Sequence, residues 1–336
     1  MNFLWRLFLF VVLPLVLAAA AAVGSAYYWA HGVVTLPAPT VDVLVPPGAT
    51  ASTISRLLSQ SGVEVNPRFF SWLARFGHFD TRLKAGGYQV VQGDTPWTIL
   101  RRMAMGDMTQ RQLTLVEGWN LRQIRAALAQ HADIRHTLDQ VTDAQLAERL
   151  GVNSSYVEGL FFPDTYIFPI GTTDLEILQR AYRAQQQILD KAWEQRTADV
   201  PIASPYEALV LASLIERETG SPADRARIAG VFANRLRAGM PLQTDPSVIY
   251  GMGEAYDGKI RKRDLQADTP WNTYTRMGLP PSPIASVGRA SLAAALQPEK
   301  HGYYYFVSRG DGTSVFATTL AEHNKNVSIY ILGRKP

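Results

Sequence analysis

The sequence contains no cysteine, which excludes a disulfide framework and a thiolate zinc site. Charge is sparse as well. Asp, Glu, Lys and Arg make up 18% of the 336 residues, and the net charge is only +4. A surplus that mild and that evenly spread does not mark a nucleic-acid-binding protein. Common catalytic signatures are missing: there is no G-x-S-x-G elbow, P-loop lysine motif, G-x-G-x-x-G run or H-E-x-x-H. His31, His78, His131, His136, His301 and His323 show no metal-like pairing on one helix face, although His323 is a minor candidate for a cleft. No metal and no cofactor is expected. Internal repeats are lacking too. An apolar fraction of 47% is ample for a core, and the length allows an anchor plus about two domains.

The N-terminus holds one long apolar run. No charged side chain occurs from Leu7 to Ala30, about the length needed to cross the ~30 Å hydrocarbon core as a helix. Arg6 precedes it, and Tyr27, Tyr28 and Trp29 close it as an interfacial aromatic belt. The positive-inside rule puts residues 1–6 in the cytoplasm, residues 7–30 across the membrane and the rest outside. A cleaved signal peptide is the alternative, because Ala18 to Ala26 is rich in small residues. The length of the run, and aromatics lying beyond the plausible cut sites, favour a retained anchor.

Residues 31–40 read as an extended linker, since Pro37 and Pro39 oppose helix. Residues 41–112 read as a small α/β module: a strand over 41–45, helices over 50–60 and 67–76, a strand through Tyr88, Val90 and Val91, and a helix starting at Pro96. The run Tyr88-x-Val90-x-x-Gly93-Asp94-Thr95-x-x-x-Ile99 resembles the opening of a LysM module, which binds N-acetylglucosamine polymers. A strand, turn and capped helix of an ordinary α+β domain reads the same way. Beyond this module the pattern predicts a strand at Leu113–Val116, a helix over 121–130, and then a mainly helical region. That region has helices over 174–195, 206–219 and 224–238, and a small β element around Tyr303–Val307.

Chemistry concentrates at residues 207–220, EALVLASLIERETG. At 100° per residue, Val210, Leu211, Leu214 and Ile215 form one apolar face, Glu218 joins it, and Glu216 points away. A carboxyl at the end of a buried stripe loses water, its pKa rises, and it becomes a proton donor near neutral pH. Pairing of Glu218 with a buried arginine such as Arg235 or Arg237, or a frayed helix end open to solvent, is the competing reading. Asp245-Pro246 marks a helix start, with Asp245 either as N-cap or as a second active-site carboxylate. Gln243, Asn272 and Tyr274 supply hydrogen-bonding groups, and Trp271 and Tyr274 supply flat faces, the mixture a sugar site needs.

Taken together, LVEGWNL (115–121), EGLFFPDTY (158–166), ASLIERET (212–219), FANRLRAGMPLQTDPSVIYGMG (232–253), NTYTRMGLPPSPIASVG (272–288), YYFV (304–307) and HNKNV (323–327) resemble the YceG-like endolytic murein transglycosylase family. The resemblance implies an α+β protein: a transmembrane helix, a LysM-like module (41–112) and a mainly helical, lysozyme-like catalytic domain (113–336). It implies Glu218 as the catalytic residue, with Gln243, Asp245, Tyr250, Asn272 and Tyr274 as substrate contacts. The implied substrate is the glycan strand of peptidoglycan, cut without water to leave 1,6-anhydro ends on nascent strands. The implied place is the bacterial inner membrane, single-pass, with the bulk in the periplasm and penicillin-binding wall synthases as candidate partners. A non-catalytic glycan-binding scaffold for those synthases is the alternative.

Overall fold

The computed structural model describes Trp5, residues 8–154 and residues 156–333. Apart from Trp5, the segment expected in the cytoplasm, residues 1–6, lies outside the described residues. The chain forms two compact units. One comprises Met1–Gln112, Asp133–Arg135 and Ile167–Thr172, and the other comprises Leu113–Ala132, His136–Tyr166 and Thr173–Pro336. The two short later segments in the first unit carry no sequence signal of that membership.

The first unit opens with a helix of 24 residues, Phe8–His31, containing an 18-residue stretch of mean hydropathy 2.4. It is long and apolar enough to cross a membrane. Its first turn, Phe8–Val12, is π-helical and runs into α1 (Leu13–His31). The expected linker is extended but docked. Val34 is buried and donates to the Asp94 carbonyl at 2.9 Å, and the Thr35 carbonyl accepts from the Glu64 amide at 3.1 Å. β1 (Thr40–Val45) alternates exposed and buried residues, so Val41, Val43 and Val45 face inward. Two helices follow. α2 (Ala51–Gln60) is capped by Thr50, and α3 (Pro67–Phe76) by Asn66, with Pro67 pre-set for its first turn. β2 (Gly86–Val91) returns antiparallel to β1, Val43 opposite Tyr88. α4 (Pro96–Met105) has a Thr95–Thr98 capping box and ends on Gly106 at φ 73°. Ile54, Leu58, Phe70, Tyr88, Ile99 and Leu100 close the core between sheet and helices. The Gly93-Asp94-Thr95 run serves this turn. Asp94 accepts from the Val91 amide at 2.8 Å, from Thr98 at 3.2 Å and from Arg102 at 2.6 Å.

β3 (Gln110–Thr114) pairs with β4 (Thr165–Pro169), so the expected strand begins earlier than Leu113 and has a partner the sequence does not announce. In the second unit, α5 (Leu121–Gln130) and α6 (Asp143–Leu150) each start on a capping box, and α7 (Asp174–Glu194) starts on another. α8 (Pro205–Glu218) is the central element, packed against α7, α9 (Pro222–Arg237), α10 (Asp245–Met252) and α12 (Arg289–Leu296). α11 (Lys262–Gln266) precedes α12. Every residue of α8 from Ala208 to Ile215 is buried. It is therefore enclosed all round, where the periodicity predicts one apolar face. Ser213 fastens it to the loop after α11, accepting from the Ile284 amide at 3.0 Å. Glu216 accepts from the Gly288 amide at 3.0 Å. A hairpin of β5 (Tyr305–Ser308) and β6 (Ser314–Ala317), then α13 (Leu320–Tyr330), completes the unit. α13 begins three residues before His323, capped by Thr319 and Glu322.

Candidate active site

Glu218 is the last residue of α8, and Thr219 at φ −146° takes the chain out of the helix. α9 then returns beside α8 and carries Arg235, which organises the next segment. Its guanidinium donates to the carbonyls of Tyr304 at 2.7 Å and Leu242 at 2.8 Å, and it lies 5.2 Å from the Tyr305 ring centre. A nearby loop is zipped onto residues 243–247. The Gln243 amide donates to the Thr273 carbonyl at 3.1 Å, and the Thr244 amide to the Thr273 hydroxyl at 3.0 Å. Ser247 and Thr273 hydroxyls meet at 2.9 Å. Gln243 is held at φ 49°, a left-handed conformation unusual for a side-chain-bearing residue.

These contacts bring Glu218, Thr244, Asp245, Arg235 and Tyr274 together. Burial pushes the Glu218 carboxyl up to about 7, and the neighbouring Asp245 charge adds to the rise, while Thr244 and Arg235 oppose it. The buried Thr244 hydroxyl completes no hydrogen bond of ordinary geometry, yet lies near enough to the carboxyl to favour its ionised form. Neither candidate arginine locks the acid. Arg235 spends its hydrogens mainly on carbonyl oxygens, and Arg237 bonds Asn234 at 3.1 Å and the Asp199 carbonyl at 2.9 Å. Behind Arg235, His323 stacks on Tyr305 at 5.3 Å, and burial lowers its pKa.

The remaining candidates separate. Asp245 is not the N-cap. Thr244 holds that position, and Asp245 begins the helix and accepts from the Tyr274 hydroxyl at 2.6 Å. Asn272 is 0% exposed. Its amide donates to the carbonyls of Leu265 at 3.1 Å and Ala267 at 2.7 Å and accepts from the Tyr274 amide at 2.8 Å. It presents no surface to a ligand and instead holds the loop that carries Thr273 and Tyr274. Tyr250 meets Trp271 edge-on at 5.4 Å.

A cleft of about 450 Å³ is walled in part by Arg217, Pro246, Asn120, Gln123 and Tyr250. Arg217 and Pro246 are the chain neighbours of Glu218 and Asp245. A second hollow of about 400 Å³ shares Asn120, Arg122, Tyr250 and Gly253 with the first, making one groove, and adds Trp271 and Glu158. Sequence reasoning assigns Glu158 no role. It is 6% exposed, and its carboxyl accepts from the Leu121 amide at 3.0 Å and the Gly159 amide at 3.1 Å. It thus caps α5, and burial pushes it up to about 7. It sits outside any regular element, where periodicity is silent. Only its place in the EGLFFPDTY block points to it.

Residues 43–329 match the YceG-like family. The endolytic murein transglycosylase of Bacillus subtilis is 34% identical over 312 residues, covering 87% of this chain and 85% of that protein. The protein of the same name from Streptococcus pneumoniae serotype 2 is 28% identical over 324 residues, and the match spans 58% of its length. The 2.6 Å crystal structure of a yceG-like protein from Listeria monocytogenes aligns with a TM-score of 0.54 at 31% identity, covering 85% of this chain and 99% of that one. The chain belongs to the YceG-like family.

Proposed function

We propose that this protein is an endolytic lytic transglycosylase of murein, with Glu218 as its catalytic acid. The observation that carries the reading is a carboxyl at the end of helix α8, pushed up to about 7 mainly by burial, whose chain neighbour Arg217 lines a groove. Glu218 protonates the oxygen bridging N-acetylmuramic acid to N-acetylglucosamine, and an oxocarbenium-like transition state develops at C1. The muramic C6 hydroxyl attacks C1 and gives its proton to the Glu218 carboxylate. The acid is regenerated, no water is consumed, and the new end is 1,6-anhydro. One carboxyl serves both steps, whereas most glycosidases use two.

Gln243, Asp245, Tyr250 and Tyr274 are the proposed substrate contacts, and Asn272 acts by holding the loop behind them. The second unit is read as the lysozyme-like catalytic domain. The first is read as a LysM-like module, and retention of that unit on N-acetylglucosamine polymers tests its part. The apolar helix is read as a single-pass inner-membrane anchor that leaves the rest in the periplasm, where the enzyme ends nascent strands beside the wall synthases.

Mass spectrometry of the products made from purified glycan strands by the full-length protein in detergent tests the reaction. Anhydro-muramic ends are expected. Reducing ends instead identify a hydrolase using Asp245 as its second carboxylate, and intact strands identify a binding scaffold.

A further inference from the structure

The outer end of α1 is not bare. Ala22, Val23 and Ala26 share an apolar hollow of about 740 Å³ with Phe69, Trp72 and Phe76 of α3. Trp29 meets Phe69 edge-on at 5.6 Å, and His31 stacks on Trp97 at 5.7 Å. These contacts lie within one compact unit, so α3 is fixed in depth relative to α1.

α3 is also divided by helical phase. Phe70 and Ala74 face the core and are buried. Phe69, Trp72 and Phe76 lie within about 60° of one another on the other side, and they are 46%, 59% and 79% exposed. Three exposed aromatics on one short helix form an apolar patch that water does not favour. Arg68 and Arg75 flank that patch, are exposed, and make no ion pair with the described residues.

We infer that the aromatic face of α3 lies in the outer leaflet of the bilayer, with Phe69, Trp72 and Phe76 among the acyl chains and Arg68 and Arg75 on lipid phosphates. The inference rests on the reading of α1 as a membrane span. A 24-residue helix is about 36 Å long, somewhat more than the ~30 Å hydrocarbon core. Residues 22–26 lie roughly 7 to 14 Å below its His31 end, at the depth of the interface and upper acyl chains. Side chains that share a hollow with residues 22–26 share their depth. The aromatic and arginine composition is that of an interfacial helix. The first unit is therefore seated on the membrane rather than hung from it.

The absence of native cysteine permits a direct test. Full-length protein carrying Phe76→Cys, Leu17→Cys or Asp311→Cys is labelled with an environment-sensitive fluorophore. It is reconstituted one copy per nanodisc of zwitterionic and anionic phospholipids. The Phe76 label is expected to emit to the blue of the Asp311 label. Lipids bearing a nitroxide high on the acyl chain should quench it several-fold more than lipids bearing one near the chain end. The Leu17 label should show the reverse preference. A Leu17 label in the acyl core with a Phe76 label in water overturns this inference alone, whereas a Leu17 label in water overturns the anchor reading beneath it. A Phe76 label that is sheltered but untouched by lipid nitroxides means that protein covers the face, and equally overturns it.

Discussion

Glu218 is held between opposing influences. Burial and Asp245 favour its protonated form, and Thr244 and Arg235 favour the carboxylate. The balance near 7 suits a group that gives a proton in one step and takes one in the next. Replacement Glu218→Gln keeps size and hydrogen-bonding capacity but has no proton to give. Turnover of glycan strands is expected to fall by about 10²–10⁴-fold, with an unchanged circular-dichroism spectrum. An unchanged rate would remove Glu218 from the chemistry. The acid must begin protonated, so kcat should fall as pH rises through about 7, and a pH–rate profile that stays flat to pH 9 would contradict the assignment. Helical phase puts Glu218 on the inward side of α8, and the structure leaves its side chain half-buried at the helix end, as it does that of Glu216. An asparagine in this composition suits a sugar site, whereas the structure gives the Asn272 amide carbonyl partners at the end of α11 and just after it. Of the two readings open for Asp245, the capping one fails for a complementary reason. Local rules favour Asp before Pro, but a tyrosine hydroxyl 29 positions away claims its carboxylate.

At the scale of elements, helix starts were the most readable feature, because caps act over three or four residues. Asn66-Pro67, Thr95-Pro96 and Asn120 each begin a helix where the sequence predicts one. β4 escaped because its pairing with β3 joins segments far apart in the chain, and no local pattern encodes such a partner. The enclosure of α8 escaped for a related reason: a sequence shows one helix face at a time, and four neighbouring helices cover the rest. The Gly93-Asp94-Thr95 run now has a structural account that needs no ligand. Asp94 is 6% exposed and gathers an amide, a hydroxyl and the Arg102 guanidinium. Asp94→Ala strands these donors at a buried turn and should cost about 2–3 kcal/mol, read as a lower urea midpoint for the full-length protein in detergent. A change below about 0.5 kcal/mol, the usual scatter of surface substitutions, would mean that the motif is kept for something other than the turn.

For the molecule as a whole, the direction of the first helix decides where the groove works. The positive-inside reading predicts that a reporter folding only outside the cytoplasm is active when fused after Gly333 and inactive when fused before Met1. The opposite pattern would deny the enzyme its polymer. A last consequence concerns Gln243. A left-handed backbone at a residue with a side chain costs on the order of 1 kcal/mol relative to glycine, and here φ is 49° immediately before Thr244 and Asp245. Gln243→Gly releases that tension and deletes a side-chain amide proposed to contact substrate, so the melting point should rise while turnover drops. Selection for thermal hardness alone would therefore erode this corner first, and its persistence in a working enzyme would measure what the reaction demands of the fold.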